Sequence, residues 1–340
     1  MVLRPLLRWL LLLMTLIVAV AAMVVMEHQR WLATPFSTSA GLTDTQTVLI
    51  APGTSFRGVQ RQLTEAGVLT RPRSFEIEAR RLGLLHRLQA GEYAIAATDT
   101  PRSLLDAMNQ GRVVQHAFTL IDGWTFRQVR AALAATPTLR QTLDGWSDAD
   151  IMAALGSPEL HPEGWFFPDT YLHTRGETDL ALLQRAHRAM RNALDAAWSR
   201  RQGDLPFDSA YDALILASII ERETGRGDER HKVSGVFVRR LREGMRLQTD
   251  PTVIYGLGDA FTDRLRRADL RLDTPYNTYT RHGLPPTPIA MPGRSALLAA
   301  VDPLETDALF FVARGDGSHQ FSATYAEHNA AIRRYILRSE

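Results

Sequence analysis

The sequence contains no cysteine. Disulfides, thiolate metal sites, a cysteine nucleophile and a lipidated N-terminal cysteine are all excluded. A cysteine-free chain is compatible with an oxidising compartment without requiring one. Lysine is nearly absent too: of the 39 Lys and Arg residues, Lys232 is the one lysine. Arginine suits carboxylate and phosphate contacts, but no basic cluster stands out, and composition bias accounts for the preference. A net charge of +2 speaks against a nucleic-acid partner held by phosphate neutralisation. The 10 histidines are scattered and no His-Glu-x-x-His occurs, so a metal site is not expected. There is no Gly-x-Ser-x-Gly elbow, no P-loop, and no Gly-x-Gly-x-x-Gly after a strand. A Ser/His/Asp triad has no local signal.

What is present begins at the N-terminus. Arg4 and Arg8 precede an apolar or neutral run from Trp9 to Met26, extended by Leu6 and Leu7. A membrane span needs roughly 20 residues and a signal-peptide core about 7–15. Ala19-Val20-Ala21 resembles a cleavage site, so a removed signal is the alternative to a retained anchor, which the length favours. Arginines before the segment, and Glu27 and His28 after it, place the N-terminus in the cytoplasm. The rest of the chain is then expected outside the inner membrane as a single-pass protein.

With 340 residues, 45% of them apolar, about two folded domains are expected beyond the anchor. The expected boundaries are 1–28 for N-terminus and anchor, 29–46 for a linker, 47–115 for a first subdomain and 116–340 for a second. The linker is rich in Thr, Ser, Gly and Pro without an apolar period. From Thr47, "TVLI", a helix with Phe56, Val59 and Leu63 on one face, "RPRSFEIEARRLGL" and "GEYAI" predict strand–helix–helix–strand. Gly53-Thr-Ser-Phe-Arg-x-Val59 reappears as Gly123-Trp-Thr-Phe-Arg-x-Val129, a weak repeat that implies one strand–turn–helix unit used twice. Further helices are expected over 178–201, 212–224, "VSGVFVRRLREG" and 325–338. "TDPTVIYGLG" and "DTPYNTYTRHGLPPTPIAMPGR" read as ordered loops, and "ALFFVARGDGSHQFSAT" as a hairpin. Helices and strands are segregated, so the expected class is α+β.

The densest chemistry lies in "LILASIIERETG", where an apolar run ends in Glu221 and Glu223. On a helix these two point about 160° apart and cannot act as a pair. Burial on an apolar helix raises a carboxyl pKa toward the range of a general acid. Glu221 shares its face with the small Ala217 and Ser218, which leaves room for a ligand. Glu223 lies beside Leu216, Ile219 and Ile220, where packing is tighter and an arginine partner is expected. Both remain open to a purely structural reading as salt-bridge acids at a helix end. "EGWFFPDTY" places Trp165, Phe166, Phe167 and Tyr171 beside Glu163 and Asp169; it suits a sugar ring or a core wedge. Gln248, Asp250, Tyr255, Asn277 and Tyr279 offer hydrogen-bonding groups on loops. His187, on the apolar stripe of its helix, reads as a core histidine.

"ASIIERET", "GVFVRRLREGMRLQTDPTVIYGLG", "YNTYTRHGLPPTPIAMPG" and "EGWFFPDTY" together closely resemble the YceG-like (MltG) family of endolytic murein transglycosylases, over roughly 47–335. The resemblance implies a single-pass inner-membrane enzyme facing the periplasm, with a LysM-like region at 47–115 and a catalytic domain after it. It implies a carbon–oxygen lyase that cleaves the MurNAc–GlcNAc bond inside nascent peptidoglycan strands and leaves 1,6-anhydro-N-acetylmuramyl ends. The family's acid, taken as the first Glu of its motif, falls on Glu221, with Glu223 and Glu163 supporting. Ser218, Trp165, Gln248, Asp250, Tyr255, Asn277 and Tyr279 are the expected substrate contacts. No metal or cofactor is implied, and the expected partners are glycan strands, the membrane, and cell-wall synthases such as penicillin-binding proteins. A muramidase hydrolase using Asp250 or Asp169 as second carboxylate, and a glycan-binding scaffold without catalysis, remain as alternatives.

Overall fold

In a computed structural model of the chain, residues 3–337 are described, with side chains from residue 7 onward. The Arg4 side chain, Met1 and Val2, and residue 338 of the expected last helix lie outside the described residues. The chain divides into two compact units, Met1–His116 and Ala117–Glu340, of mixed α+β class.

The first unit begins with α1 (Leu3–Leu32). Its Leu7–Leu32 stretch is the one helix among the described residues long and apolar enough to cross a membrane. After it come α2 (Phe36–Ser39), β1 (Gln46–Ile50), α3 (Phe56–Glu65), α4 (Pro72–Arg81), β2 (Gly91–Ile95) and α5 (Pro101–Gln110). β1 and β2 pair antiparallel, Gln46 against Ile95 through Ile50 against Gly91, so the expected strand–helix–helix–strand order is present. The expected linker at 29–46 is not a tether. α1 runs on to Leu32, and Trp31, Leu32, Phe36 and Leu42 are buried in this unit's core. The Phe36 and Ser37 amides donate to the carbonyls of Asp99 and Ala97, each at 2.8 Å. Four apolar residues at irregular spacing show no period in sequence, yet each finds a place in the core.

β3 (His116–Thr119) begins at the boundary, and the second unit continues with α6 (Phe126–Ala134), α7 (Asp148–Ala154), β4 (Thr170–His173), α8 (Asp179–Trp198) and α9 (Ala210–Glu223). It continues with α10 (Arg230–Arg242), α11 (Asp250–Leu257), α12 (Arg294–Val301), β5 (Phe310–Ala313), β6 (His319–Ser322) and α13 (Tyr325–Tyr335). β3 pairs with β4, and β5 and β6 form the expected antiparallel hairpin. Part of "TDPTVIYGLG" is α11 rather than loop: Pro251 sits in its first turn, where a missing N–H costs nothing.

The repeated heptad has a structural basis. Gly53 and Gly123 both take left-handed backbone, at φ +80° and +79°. Ser55 and Thr125 then cap α3 and α6 by accepting the amides of Gly58 and Gln128.

α9 is the centre of the second unit. Ser209 caps its start by accepting the Asp212 amide, and Thr224 ends it in extended backbone. Every residue from Ala213 to Ile220 is buried, as expected for a helix apolar on all sides. α8, α10, α11 and α12 all pack against it. α10 comes close to the segment after α12: a Cβ on Gly235 would lie 2.1 Å from the Leu304 carbonyl oxygen, so only glycine fits there.

Candidate active site

The two glutamates at the end of α9 enter different surroundings. Glu221 faces α10 and α12. Arg230 Nη2 donates to its Oε1 at 2.6 Å, and the Gly293 amide, at the N-cap of α12, donates to Oε2 at 2.9 Å. Arg230 also donates to Ser295 Oγ, in the first turn of α12. The Glu221 side chain is 5% exposed and that of Arg230 10%. Burial raises the Glu221 carboxyl; the Gly293 N–H and Arg230 oppose that rise, and Asp122 adds to it. Asp122, itself raised by burial, reaches the same spot: a Cβ on Gly293 would lie 2.3 Å from its Oδ1. Both carboxyl oxygens of Glu221 are thus taken up within the protein. The side chain ties α9, α10 and α12 together.

Glu223 opens into a cavity of about 380 Å³. The walls come from Gln248, Asp250 and Tyr279, from Arg240 on α10, and from the hairpin and α13 through Phe310, His319 and His328. Thr249 Oγ1 donates to Glu223 Oε1, and no ion pair to Glu223 forms among the described residues, contrary to the expected arginine partner. Arg240 spends its donors on the carbonyls of Leu309 and Leu247, at 2.6 and 2.7 Å, and lies over the Phe310 ring at 5.1 Å. Burial therefore dominates, and the Glu223 carboxyl is pushed up to about 7; Asp250 adds to the rise, and His319 and Arg240 oppose it. A group so placed holds a proton near neutral pH and can give it away.

The polar loop residues split in their roles. Tyr279 Oη donates to Asp250 Oδ1 at 2.6 Å on the cavity wall. Gln248 is exposed there with φ +49°, the one non-glycine residue with positive φ among the described residues. Such backbone is held by its neighbours: the Gln248 and Thr249 amides donate to Thr278 O and Oγ1, each at 3.1 Å. Asn277 is not a substrate contact. It is fully buried, and its Nδ2 donates to the carbonyls of Asp269, Leu270 and Leu272 while its Oδ1 accepts the Tyr279 amide. Ser218 is likewise buried, donating to Ile215 O at 2.7 Å and accepting the Ile289 amide at 3.0 Å. The room expected beside Ser218 and Ala217 is filled by the 288–293 segment.

Glu163 and Tyr255 form a third arrangement. Glu163 is 3% exposed; it accepts the Phe126 amide at 3.0 Å and the Tyr255 hydroxyl at 3.1 Å. Burial pushes its carboxyl up to about 7 against both hydrogen bonds. Neither residue lines the Glu223 cavity. Trp165 is buried against Tyr211, ring to ring at 5.9 Å, beside a separate cavity of about 320 Å³. Phe166, stacked on Phe126 at 5.0 Å, is core, and so is His187, 2% exposed and bonded to Trp165 O. Asp169 is exposed and does not line the Glu223 cavity.

The sequence profile of the YceG-like family matches residues 48–334. The chain belongs to the YceG-like family. Among its relatives, the endolytic murein transglycosylase of Bacillus subtilis is 36% identical over 211 residues, covering 62% of this chain and 58% of the relative. The endolytic murein transglycosylase of Streptococcus pneumoniae is 23% identical over 324 residues, covering 85% of this chain and 58% of the relative. The chain thus matches little more than half the length of these relatives. A 2.6 Å crystal structure of a YceG-like protein from Listeria monocytogenes is 26% identical with a TM-score of 0.51, covering 84% of this chain and 99% of that one.

Sequence reasoning missed Arg240, Phe310, His319 and His328 as cavity walls, and Arg230 and Gly293 as the partners of Glu221. Gly293, Phe310, His319 and His328 lie 70 or more residues from the glutamate they meet, and Arg230, though nine residues from Glu221, reaches it only through the turn between α9 and α10. The Gln248–Asp250 and Tyr279 motifs were visible as polar loops, and the structure brings them together with Glu223.

Proposed function

We propose that this YceG-like chain is an endolytic lytic transglycosylase of peptidoglycan, with Glu223 rather than Glu221 as the proton donor and acceptor. The observation that carries the residue assignment is the cavity at Glu223, where a carboxyl with a pKa of about 7 faces Gln248, Asp250 and Tyr279. The names of the relatives supply the reaction class. Neutral Glu223 gives its proton to the oxygen between MurNAc and GlcNAc as the bond from C1 to that oxygen breaks. Its carboxylate then takes the proton of the muramyl C6 hydroxyl as that oxygen bonds to C1. The product carries a 1,6-anhydro end and no water is consumed, so one carboxyl can serve where hydrolysis commonly needs two. Gln248 and Tyr279 orient the sugar. Glu221, bound to Arg230 and Gly293, holds the helices that position Glu223.

Hydrolysis of the same bond is the second reading, favoured by Asp250 in the same cavity. α1 anchors the chain in the inner membrane with its N-terminus in the cytoplasm and the second unit in the periplasm. The β1–α3–α4–β2 arrangement serves as a LysM-like grip on glycan. The implied partners are the synthases that extend the strand.

Uncrosslinked glycan strands digested by the full chain and analysed by mass spectrometry test this. Anhydro-terminated products are expected, and Glu223→Gln is expected to slow their release by roughly 10²–10⁴-fold. Reducing ends would favour the hydrolase. Full activity in Glu223→Gln with none in Glu221→Gln would return the acid to Glu221, and no product from the unaltered chain would favour a binding scaffold.

A further inference from the structure

The first unit carries a cavity that the proposed reaction does not use. About 350 Å³ in volume, it is lined by Glu27, Arg30 and Trp31 at the end of α1, by Thr34 and Thr38 after it, and by Arg71 at the N-cap of α4. We propose that this cavity seats the phosphate headgroup of one phospholipid, an inference that rests on the membrane anchoring proposed above.

Position is the first argument. The exposed apolar run Trp9 to Met26 is about 27 Å long at 1.5 Å per residue, close to the thickness of a bilayer's hydrocarbon core. Arg30 and Trp31 follow by four and five residues, about 6–7.5 Å further along the helix. The headgroup layer on each side is about 5–7 Å deep. The cavity therefore lies at headgroup depth whichever way the helix crosses.

Chemistry is the second. Trp31 is 5% exposed, yet its indole N–H has no hydrogen-bond partner. Arg30 is exposed and forms no ion pair among the described residues. Arg71 meets Glu27 at 3.1 Å with both side chains about half exposed, 49% and 58%. Such a pair is weak, so Arg71 is free to turn to a stronger anion while still neutralising the cavity's one acid. A guanidinium matches the oxygens of a phosphodiester, and an indole at the interface suits an apolar ring with a polar edge. Thr34 gives its hydroxyl proton to Arg30 O at 2.7 Å, and the exposed Thr38 hydroxyl completes the rim. Two arginines against one glutamate leave a net positive site, which favours an anionic lipid.

The full chain in detergent, mixed with phosphatidylglycerol and examined by native mass spectrometry, is expected to retain one lipid. Arg30→Ala/Arg71→Ala is expected to weaken retention at least about ten-fold. Trp31→Phe, which keeps an aromatic side chain in the core but removes the N–H, is expected to weaken it several-fold. Arg73→Ala, exposed on α4 outside the cavity, is expected to match the unaltered chain. Equal retention by the double variant, or none by the unaltered chain, overturns the inference. Inorganic phosphate is expected not to displace the lipid; displacement at millimolar concentration would make this a free-anion site and overturn the lipid assignment. Flotation with phosphatidylglycerol vesicles separates the two readings. A full chain that stays in solution sinks the anchor itself, whereas a double variant that floats but keeps its lipid sinks only the headgroup site.

Discussion

A carboxyl group loses hydration when it is buried, and Glu221, Glu223 and Glu163 compensate in different ways. Glu221 has a guanidinium and a backbone amide. Replacing it with Gln leaves the Arg230 charge buried without its counter-charge, which costs on the order of 3–5 kcal/mol. Glu221→Gln is therefore expected to lower the unfolding free energy markedly by urea denaturation, and Glu223→Gln to leave it unchanged or higher. Near-equal destabilisation by the two would refute the division of roles. Glu223 and Glu163 instead keep a proton, each with a carboxyl pushed up to about 7 from 4.5. The folded chain then holds protons that the unfolded chain has released between about pH 4.5 and 7. The stability linked to these groups is full below pH 4.5 and is lost as pH rises through 7. Glu163→Gln can still accept the Phe126 amide through its carbonyl oxygen and donate its amide N–H to the Tyr255 oxygen, without the charge. It is expected to flatten that decline by up to roughly 3 kcal/mol between pH 5 and pH 8; an unchanged slope would show that Glu163 does not titrate in this range. Activity through Glu223 is expected to fall above about pH 7. Burial of one or another glutamate was foreseeable from the apolar run ending at Ile220. Which of them had an arginine was not, because Arg230, at the start of α10, reaches Glu221 only through the turn at 224–229.

At the scale of elements, helices carried the clearest signals. α8, α9 and α10 showed in their runs of apolar residues, and the β5–β6 hairpin in its Gly-Asp-Gly turn. The eight residues of α11, beginning Asp-Pro, carry little period and read as loop in the sequence, and the helical state comes from packing on α9. The loop from Asp269 to Tyr279 has few apolar residues of its own. It is held by Asn277, which clamps three carbonyls and the Tyr279 amide. Asn277→Ala is expected to cost about 2–4 kcal/mol, near 1 kcal/mol per lost bond, and to loosen Tyr279 on the cavity wall. Hydrogen exchange should show faster exchange of the Tyr279 amide, and steady-state kinetics a raised KM for glycan. Unchanged exchange would mean the loop holds its shape without the clamp.

At the scale of the whole molecule, each unit has its own core. One is drawn from Trp31 to Met108 and the other from Phe118 to Val301. A chain from Ala117 to Glu340 is accordingly expected to fold alone, with a single cooperative transition and measurable cleavage of isolated glycan. A chain that stays unfolded would show that the first unit is needed for the second. The sequence by itself determined the α+β class, the N-terminal apolar helix, the elements with strong periods or turns, and the family, because these rest on local patterns and contiguous motifs. It also determined that Glu221 and Glu223 diverge, since helix geometry separates residues two apart. Only the tertiary structure decided which acid faces a cavity, that Ser218 and Asn277 are structural, and that 29–46 packs into a core. Those outcomes depend on which distant residue arrives beside each side chain. In this chain Arg230 and the 288–293 segment close around Glu221, while Gln248, Tyr279 and Phe310 leave a cavity at Glu223.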